Sequence, residues 1–397
     1  MALIACKSSD TKLLFMIRQA GRLLTRQREL QEFFRKGTQP DSGRPAFRIS
    51  RFGFESEGPG HNGLTNEHSV DLSIRENSRF TYPIFVPDKR TEDPSCILLL
   101  HGLNERNWDK YLCWAEFLAL HTRKPVILFP IAFHMNRGLA SWANPRSMSL
   151  MAENRRKKTG AGDSLSFANA ALSERLTEAP VRFYSSGRQT ISDITALARQ
   201  IRGGGHPLFP AGTSLSIFAY SIGSFLAEIL LMANPGNLFS SSRLFVFCGG
   251  SIFRHMYGES RLIMDKVTYE RLLQYYCDEW LSKSAGITSQ AERVHDHIEQ
   301  AFDAMITPGY LTEKRRSFFS SWKDRIAGIS LRKDKVMPFA GVEACMGNDL
   351  ASKCFKVLDF PFDYTHETPF PQDGRIDARR LDDSFQTVFH AGASFLR

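Results

Sequence analysis

The sequence contains no apolar run near the ~20 residues that a membrane-crossing helix requires, so a spanning helix is not expected. Its seven cysteines (Cys6, Cys96, Cys113, Cys248, Cys277, Cys345 and Cys354) form no CxxC pair. An odd count spread over apolar segments argues against a disulfide framework and for reduced, buried thiols. No zinc-finger spacing, aromatic-basic RNA-binding strand or basic zipper is present, so nucleic acid is not an expected partner. Gly203-Gly204-Gly205 and Thr159-Gly160-Ala161-Gly162 lack the Lys-Ser/Thr of a phosphate loop and the fingerprint of a dinucleotide site. Both read as flexible connections. His295-Asp296-His297 invites a metal reading, but residues two apart on a helix do not share a face, and a solvated surface is expected. Repeats and low-complexity tracts are absent. Leu3-Ile4-Ala5-Cys6 imitates a lipoprotein cleavage box, yet only two residues precede it, where a leader needs a basic start and ~7–15 apolar residues. A cytoplasmic protein is therefore expected.

What is present is a large potential core. Of 397 residues, 42% are hydrophobic, and phenylalanine alone accounts for 31. The formal net charge of +9 would suit anionic partners or acidic surfaces, but the basic residues are scattered, with only short clusters such as Arg155-Arg156-Lys157-Lys158. Residues 11–36 read as a basic amphipathic helix, with Leu13, Met16, Ile17, Ala20, Leu23, Leu24, Leu30 and Phe34 near one face. It either packs on its own domain or a twin subunit, or lies on a membrane surface as a peripheral contact. Residues 37–79, rich in Gly, Pro, Ser and Asn, read as an extended linker with short strands.

After that, short apolar strands alternate with helices. Strands are expected at 79–87, 96–100, 125–133, 215–220, 244–248, 326–331 and 355–360, and helices at 108–121, 189–202, 222–233 and 381–395. The alternation implies βαβ units and a mostly parallel sheet. It stops between residues 251 and 322. There Tyr269, Leu272, Leu273, Tyr276 and Trp280 form one helical stripe and Val294, Ile298, Ala301, Phe302 and Met305 another, so a helical insertion is expected.

The segment Ser214 to Phe225 carries the chemistry. An apolar strand reaches Tyr220, Ser221 stands at a turn, and a buried helix begins at Ile222. A serine on such a corner is held out above the sheet edge, with the next backbone N–H pointing into the same space. Serine is a weak nucleophile until a base takes its proton; the base is usually histidine, oriented by an acid. On a parallel sheet these groups must arise at carboxyl ends of different strands. Asp334 follows the strand 326–331 and His366 follows the strand 355–360. Asp359 and Asp363 are rival acids, and Ser221 could simply cap its helix.

These residues resemble the α/β-hydrolase superfamily. The likeness spans about 80–397. It rests on Ala219-Tyr220-Ser221-Ile222-Gly223, on Asp334-Lys335-Val336-Met337-Pro338, on Tyr364-Thr365-His366, and on Leu100-His101-Gly102-Leu103-Asn104 after an apolar strand. The usual elbow is Gly-x-Ser-x-Gly, and here Ala219 replaces the first glycine. The resemblance implies an α/β fold: a mostly parallel sheet flanked by helices, with an N-terminal helical extension and linker (1–50), a first core part (51–250), a helical cap (251–325) and a second core part (326–397). It implies hydrolysis of a carboxylic ester or thioester by Ser221, His366 and Asp334, with the N–H groups of Ile222 and Leu103 as the oxyanion hole. The expected partner is a small acyl substrate, and neither cofactor nor metal is required. A catalytically silent binding protein and an acyltransferase share these elements. Nothing in the sequence specifies the oligomeric state.

A further polar cluster, His134, Asn136, Arg137, Trp142, Asn144 and Arg146, follows the strand 125–133. With His101 and Asn104 it is expected to contribute substrate contacts, an arginine clamping a carboxylate or phosphate. A polar loop tied to its own backbone fits the same residues.

Overall fold

The computed structural model describes residues 22–36, 46–58, 71, 73–280, 296–372 and 374–397. Helix α1 is Arg22–Lys36, followed by strands β1 (Phe47–Glu55), β2 (Arg79–Pro87) and β3 (Ser95–Leu100). Next come α2 (Leu112–Thr122), β4 (Val126–Leu128), α3 (Pro145–Thr159), α4 (Ala170–Glu178) and α5 (Val181–Arg202). Strand β5 (Ser214–Tyr220) leads into α6 (Ile222–Ala233) and then β6 (Leu244–Phe247). Helices α7 (Lys266–Gln274), α8 (His297–Ala304) and α9 (Thr312–Trp322) precede β7 (Ile326–Leu331). The chain ends with α10 (Phe339–Met346), α11 (Asn348–Cys354), β8 (Phe355–Leu358) and α12 (Ala378–Leu396).

The eight strands form one sheet in the order β1-β2-β4-β3-β5-β6-β7-β8. β1, β2 and β4 pair antiparallel; every pairing from β4 through β8 is parallel. This is the α/β class expected from the alternating pattern. The central strands are apolar on both faces because both faces are covered. Leu98, Leu100, Ile217, Ala219 and Val246 face an aliphatic layer completed by α5 and α6. Ile97, Leu99, Phe218, Tyr220 and Phe247 face the opposite layer, completed by α1, α2 and α12.

The second layer uses much of the phenylalanine. Phe389 stacks on Phe218 at 5.4 Å and on Phe385 at 4.3 Å, and Trp114 meets Tyr220 edge-on at 5.2 Å. Such pairs add about 0.5–1.5 kcal/mol each beyond the area they bury.

One expectation changes at the N-terminal side. Residues 47–55, read as part of an extended linker with short strands, form one nine-residue strand paired along its whole length with β2. The boundary placed at residue 50 thus falls inside a strand. Arg48, Ser50 and Arg51 hid it, because an edge strand buries little of its outer face. Within residues 22–36 the apolar face is already occupied: Leu23 and Leu30 are buried, and Leu24, Phe33 and Phe34 pack against the aromatic layer. The Leu23 N–H donates to Asp382 (3.0 Å) and Arg26 pairs with Glu116. The earlier turns expected at 11–21 lie outside the described residues. Among the described residues no helix is long and apolar enough to cross a membrane.

Candidate active site

Strand β5 runs apolar to Tyr220 and α6 starts at Ile222, so a single residue, Ser221, makes the corner. Its backbone has φ 56° and ψ −126°, a region that costs a non-glycine residue about 1–3 kcal/mol. The corner is held from several directions. The Ser221 N–H donates to the Phe247 carbonyl (3.3 Å). The Ser221 carbonyl accepts from the Ser224 N–H (2.9 Å) and the Ser224 hydroxyl (2.6 Å). Ser224 Oγ in turn accepts from the Gly250 N–H (3.0 Å), which ties the first turn of α6 to the end of β6. Gly223 is required by contact: a Cβ there would stand 2.8 Å from the His101 carbonyl oxygen and 2.9 Å from Leu100 Cβ. Ala219 is fully buried between its cross-strand neighbours Leu100 and Val246.

Ser221 Oγ lies 2.7 Å from His366 Nε2, and His366 Nδ1 lies 2.8 Å from Asp334 Oδ2. All three residues are buried. A carboxylate only accepts, so the ring proton is on Nδ1 and the Nε2 lone pair faces the serine hydroxyl. The second oxygen of Asp334 accepts from the N–H groups of Val336 (2.9 Å) and Met337 (2.8 Å). The rival acids point elsewhere: Asp359 accepts from the Tyr364 hydroxyl (3.1 Å), and Asp363 is exposed beside Lys333. The Cys248 thiol also meets Asp334, and burial first, that carboxylate second, pushes its pKa well above the usual thiol range.

His366 is fixed on its other sides. Its ring stacks on Tyr220 (centroids 5.5 Å, 16°), and its carbonyl accepts from the Tyr220 hydroxyl. Lys110 donates to the next carbonyl, that of Glu367 (3.1 Å), and pairs with Glu105.

Leu103 and Ile222 both border the serine. Neither N–H has an acceptor among the described residues; Ile222 is the first residue of its helix, where no intrahelical acceptor exists. The loop carrying Leu103 is anchored one residue earlier, where the Gly102 N–H donates to the Tyr111 hydroxyl (2.9 Å) and that hydroxyl donates to Glu105 (2.9 Å). Tyr111 was not singled out from sequence, because its aromatic ring in an apolar stretch reads only as core. Ser224, three residues past the corner, carried a weak signal in the small Gly249-Gly250 pair it faces.

The remaining expected substrate contacts divide. Asn104 and Trp142 line the cleft that contains Ser221 and His366. His101 does not reach it: its Nε2 accepts from the Ile131 N–H (2.9 Å) and its Nδ1 bonds the Gly102 carbonyl (2.8 Å), which makes it a buckle behind the loop. Arg137 is fully buried against Asp193 (2.8 Å), Asn77 and the Pro130 carbonyl, with its guanidinium over Phe80. It is committed to the core and cannot clamp a ligand. Asn136 donates to the Thr81 carbonyl (2.8 Å) at the outer strand β2. His134 is buried, with Nδ1 bonded to the Ala132 carbonyl (2.9 Å); burial lowers its pKa to about 4. It borders a separate apolar recess of about 60 Å³ behind Leu103 and Ile222. Asn144 is the N-cap of α3, and Asp296 that of α8; His295 lies outside the described residues. Among those residues no His/Cys/Asp/Glu group could hold a metal ion.

The cleft has a volume of about 750 Å³. Beside α1 (Leu23, Gln27, Gln31), the loop 102–110 and the segment 366–372, two further segments line it. One runs from Trp142 to Met148 and on to Phe167; the other is Leu262-Ile263. A buried ion pair joins them: Arg155 of α3 to Asp265, the N-cap of α7, at 2.6 Å, with Thr268, Thr177 and Glu174 completing the guanidinium's bonds. Thus the cover over Ser221 is shared between residues before β5 and residues within 251–325.

Residues 49–397 match the family of unknown function DUF6051, and the chain belongs to that family. No curated protein matches it. Among solved structures it is similar to carboxyl esterase 2 of the mycorrhizal fungus Tuber melanosporum, with TM-score 0.47, 9% identity, and 91% of this chain and 90% of that one covered. It is also similar to a thermostable esterase from Pseudomonas putida (TM-score 0.41, 8% identity, 94% and 97% covered). A third is the peroxisomal alpha-beta-hydrolase of Saccharomyces cerevisiae (TM-score 0.38, 12% identity, 89% and 90% covered). The fold class itself rests on the strand order and parallel pairings described above.

Proposed function

We propose that this member of DUF6051 is a serine hydrolase that cleaves a carboxylic ester or thioester through an acyl-enzyme. One observation carries the reading: an unbroken relay, Ser221 Oγ to His366 Nε2 (2.7 Å) and His366 Nδ1 to Asp334 Oδ2 (2.8 Å), on a strand-to-helix corner. The open N–H groups of Leu103 and Ile222 support it.

In this reading His366 takes the hydroxyl proton as Ser221 Oγ attacks the substrate carbonyl carbon. The negative oxygen that develops is held by the Leu103 and Ile222 N–H groups, where preorganised donors are worth most. Asp334 keeps the ring proton on Nδ1 and stabilises the imidazolium. His366 then returns the proton to the leaving oxygen or sulfur, which departs. Water, deprotonated by the same imidazole, releases the acid and restores Ser221. The complete relay argues against a catalytically silent binding protein.

A fluorophosphonate probe tests this directly. Wild type should be labelled at Ser221, Ser221→Ala should not, and labelled protein should lose activity on an ester and thioester panel. Absence of labelling would refute the nucleophile assignment. Transfer of the acyl group to added alcohols or amines, in place of water, would move the reading to an acyltransferase.

A further inference from the structure

The space around Ser221 is divided very unequally. On one side is the 750 Å³ cleft, lined by His366, Glu367 and Thr368. On the other is a recess of about 40 Å³, lined by Ser221 and Ile222 together with Met256, Ile263, Leu272 and Val336, and not by His366. Apart from the serine, every side chain around this recess is apolar or aromatic.

The reaction geometry tells the two spaces apart. The leaving atom must receive its proton from His366 Nε2, so the leaving group occupies the space that His366 lines. The acyl substituent extends away from it, into the recess that Ser221, Leu103 and Ile222 line and His366 does not. Resting on the serine-hydrolase reading, we infer that this protein removes a short acyl group from a large, polar, hydroxyl-rich molecule.

The size limit comes from the recess. One water-sized group needs about 10–15 Å³ by this measure, so the recess admits about three such groups beyond the carbonyl, up to a butanoyl chain. A longer chain would have to displace the side chains of Leu103 or Ile222 to enter the separate 60 Å³ recess behind them, which Ser221 does not line.

The polarity of the leaving group follows from the cleft. Gln31, Asn107, Asn144 and Gln372 are among the residues that line it, the oxygens of Asn107 and Asn144 being held by the N–H groups of Asp109 and of Arg146 and Ser147, and an amide, like a hydroxyl, both donates and accepts. Its cations are already engaged. Lys110 is paired with Glu105. Arg106 donates to the carbonyls of Trp142 and Ala168 and to Asn104 Oδ1. Among the described residues an anionic leaving group therefore finds no ready counter-charge, whereas hydroxyl groups match the amide lining.

The test uses the full chain and two substrate series. The first is p-nitrophenyl esters from acetate to decanoate. kcat/KM should peak between acetate and butanoate and fall at least about tenfold by octanoate, the penalty a pocket exacts for misfitting methylenes. Met256→Ala, which enlarges the recess, should move the peak to longer chains; Leu272→Ala serves as a second enlargement if the first variant does not fold. The second series compares an acetylated oligosaccharide with ethyl acetate, and the saccharide ester should be preferred at least about tenfold. A wild-type kcat/KM that holds level or rises through octanoate overturns the acyl assignment, and equal turnover of the two acetates overturns the leaving-group assignment. Fluorophosphonate labelling of Ser221 separates these failures from failure of the underlying reading. Labelling combined with a long-chain optimum, or with turnover of none of these esters, defeats only the present inference; no labelling defeats both.

Discussion

The relay and the walls around it are built by different means. Ser221 and Asp334 lie just past β5 and β7, and His366 lies in the loop that follows β8, so the sheet sets where these loops converge and buried hydrogen bonds keep the spacing. The wall segments Trp142–Met148 with Phe167 and Leu262-Ile263 lie outside the sheet, joined by the buried ion pair Arg155–Asp265 and by hydrogen bonds such as those of Ser166 to the Arg261 carbonyl and Asn169 to the Ser260 carbonyl. A side chain at a strand end inherits its position from the backbone ladder. One on a wall depends on the packing of two sequence-distant segments. Chemistry should therefore fail through the relay with the fold intact, and selectivity or stability should fail through the walls with the relay intact.

The strongest way to break this contrast is at the relay. Ser221→Ala or His366→Ala should lower kcat on the order of 10⁶-fold with an unfolding midpoint close to wild type. A large loss of stability would mean the relay also holds the fold. Asp334→Asn should cost about 10⁴-fold in kcat, by favouring the wrong histidine tautomer, read at saturating ester.

The next effects belong to the walls. Arg155→Met leaves Asp265 buried without its partner, and losing one member of such a pair costs about 3–5 kcal/mol. Urea unfolding should show that loss while fluorophosphonate still labels Ser221; a variant as stable as wild type would mean that the hydrogen bonds between the segments hold them without the ion pair.

His134 adds a pH dependence on the wall side. In the unfolded chain it binds its proton near a pKa of about 6.5, whereas folded burial lowers this to about 4. Between those values the unfolded state binds more protons, so stability falls as the pH drops from about 7 to about 4. The loss from this residue is roughly 3 kcal/mol over that window. His134→Gln should flatten that part of the stability–pH profile, and an unchanged slope would exclude His134 as its source.

The smallest effect sharpens the boundary. Tyr111→Phe removes the acceptor of the Gly102 N–H but none of the reacting groups. It should lower kcat by less than the roughly 10²–10³ that follows loss of an oxyanion donor itself, with KM for a short ester little changed. A loss as large as that of Asp334→Asn would place Tyr111 among the reacting groups.

Much of this was legible in the sequence. The apolar strands 96–100, 215–220, 244–248 and 326–331 announced themselves because they are covered on both faces, and uniform apolarity is what that burial demands. The corner at Ser221 was legible because a buried strand and a buried helix meet there with one residue between them and Gly223 beyond. Strand β1 was not, because an edge strand carries polar residues outward. The fates of His101, Arg137 and Asn136 were also hidden. A polar residue after a strand end can face a ligand or a neighbouring carbonyl with the same local sequence, and only the partners brought by Asp193, Ile131 and Thr81 separate the two.

The sequence by itself thus determined the alternation of elements and the order serine, acid, histidine, because both follow from local periodicity and from where strands end. Tertiary structure alone decided which of three aspartates faces His366, and which polar side chains are spent on the core. It also decided how much space remains on each side of Ser221. Those outcomes depend on contacts between segments 30 to 150 residues apart, and no local pattern encodes the distance across such a contact.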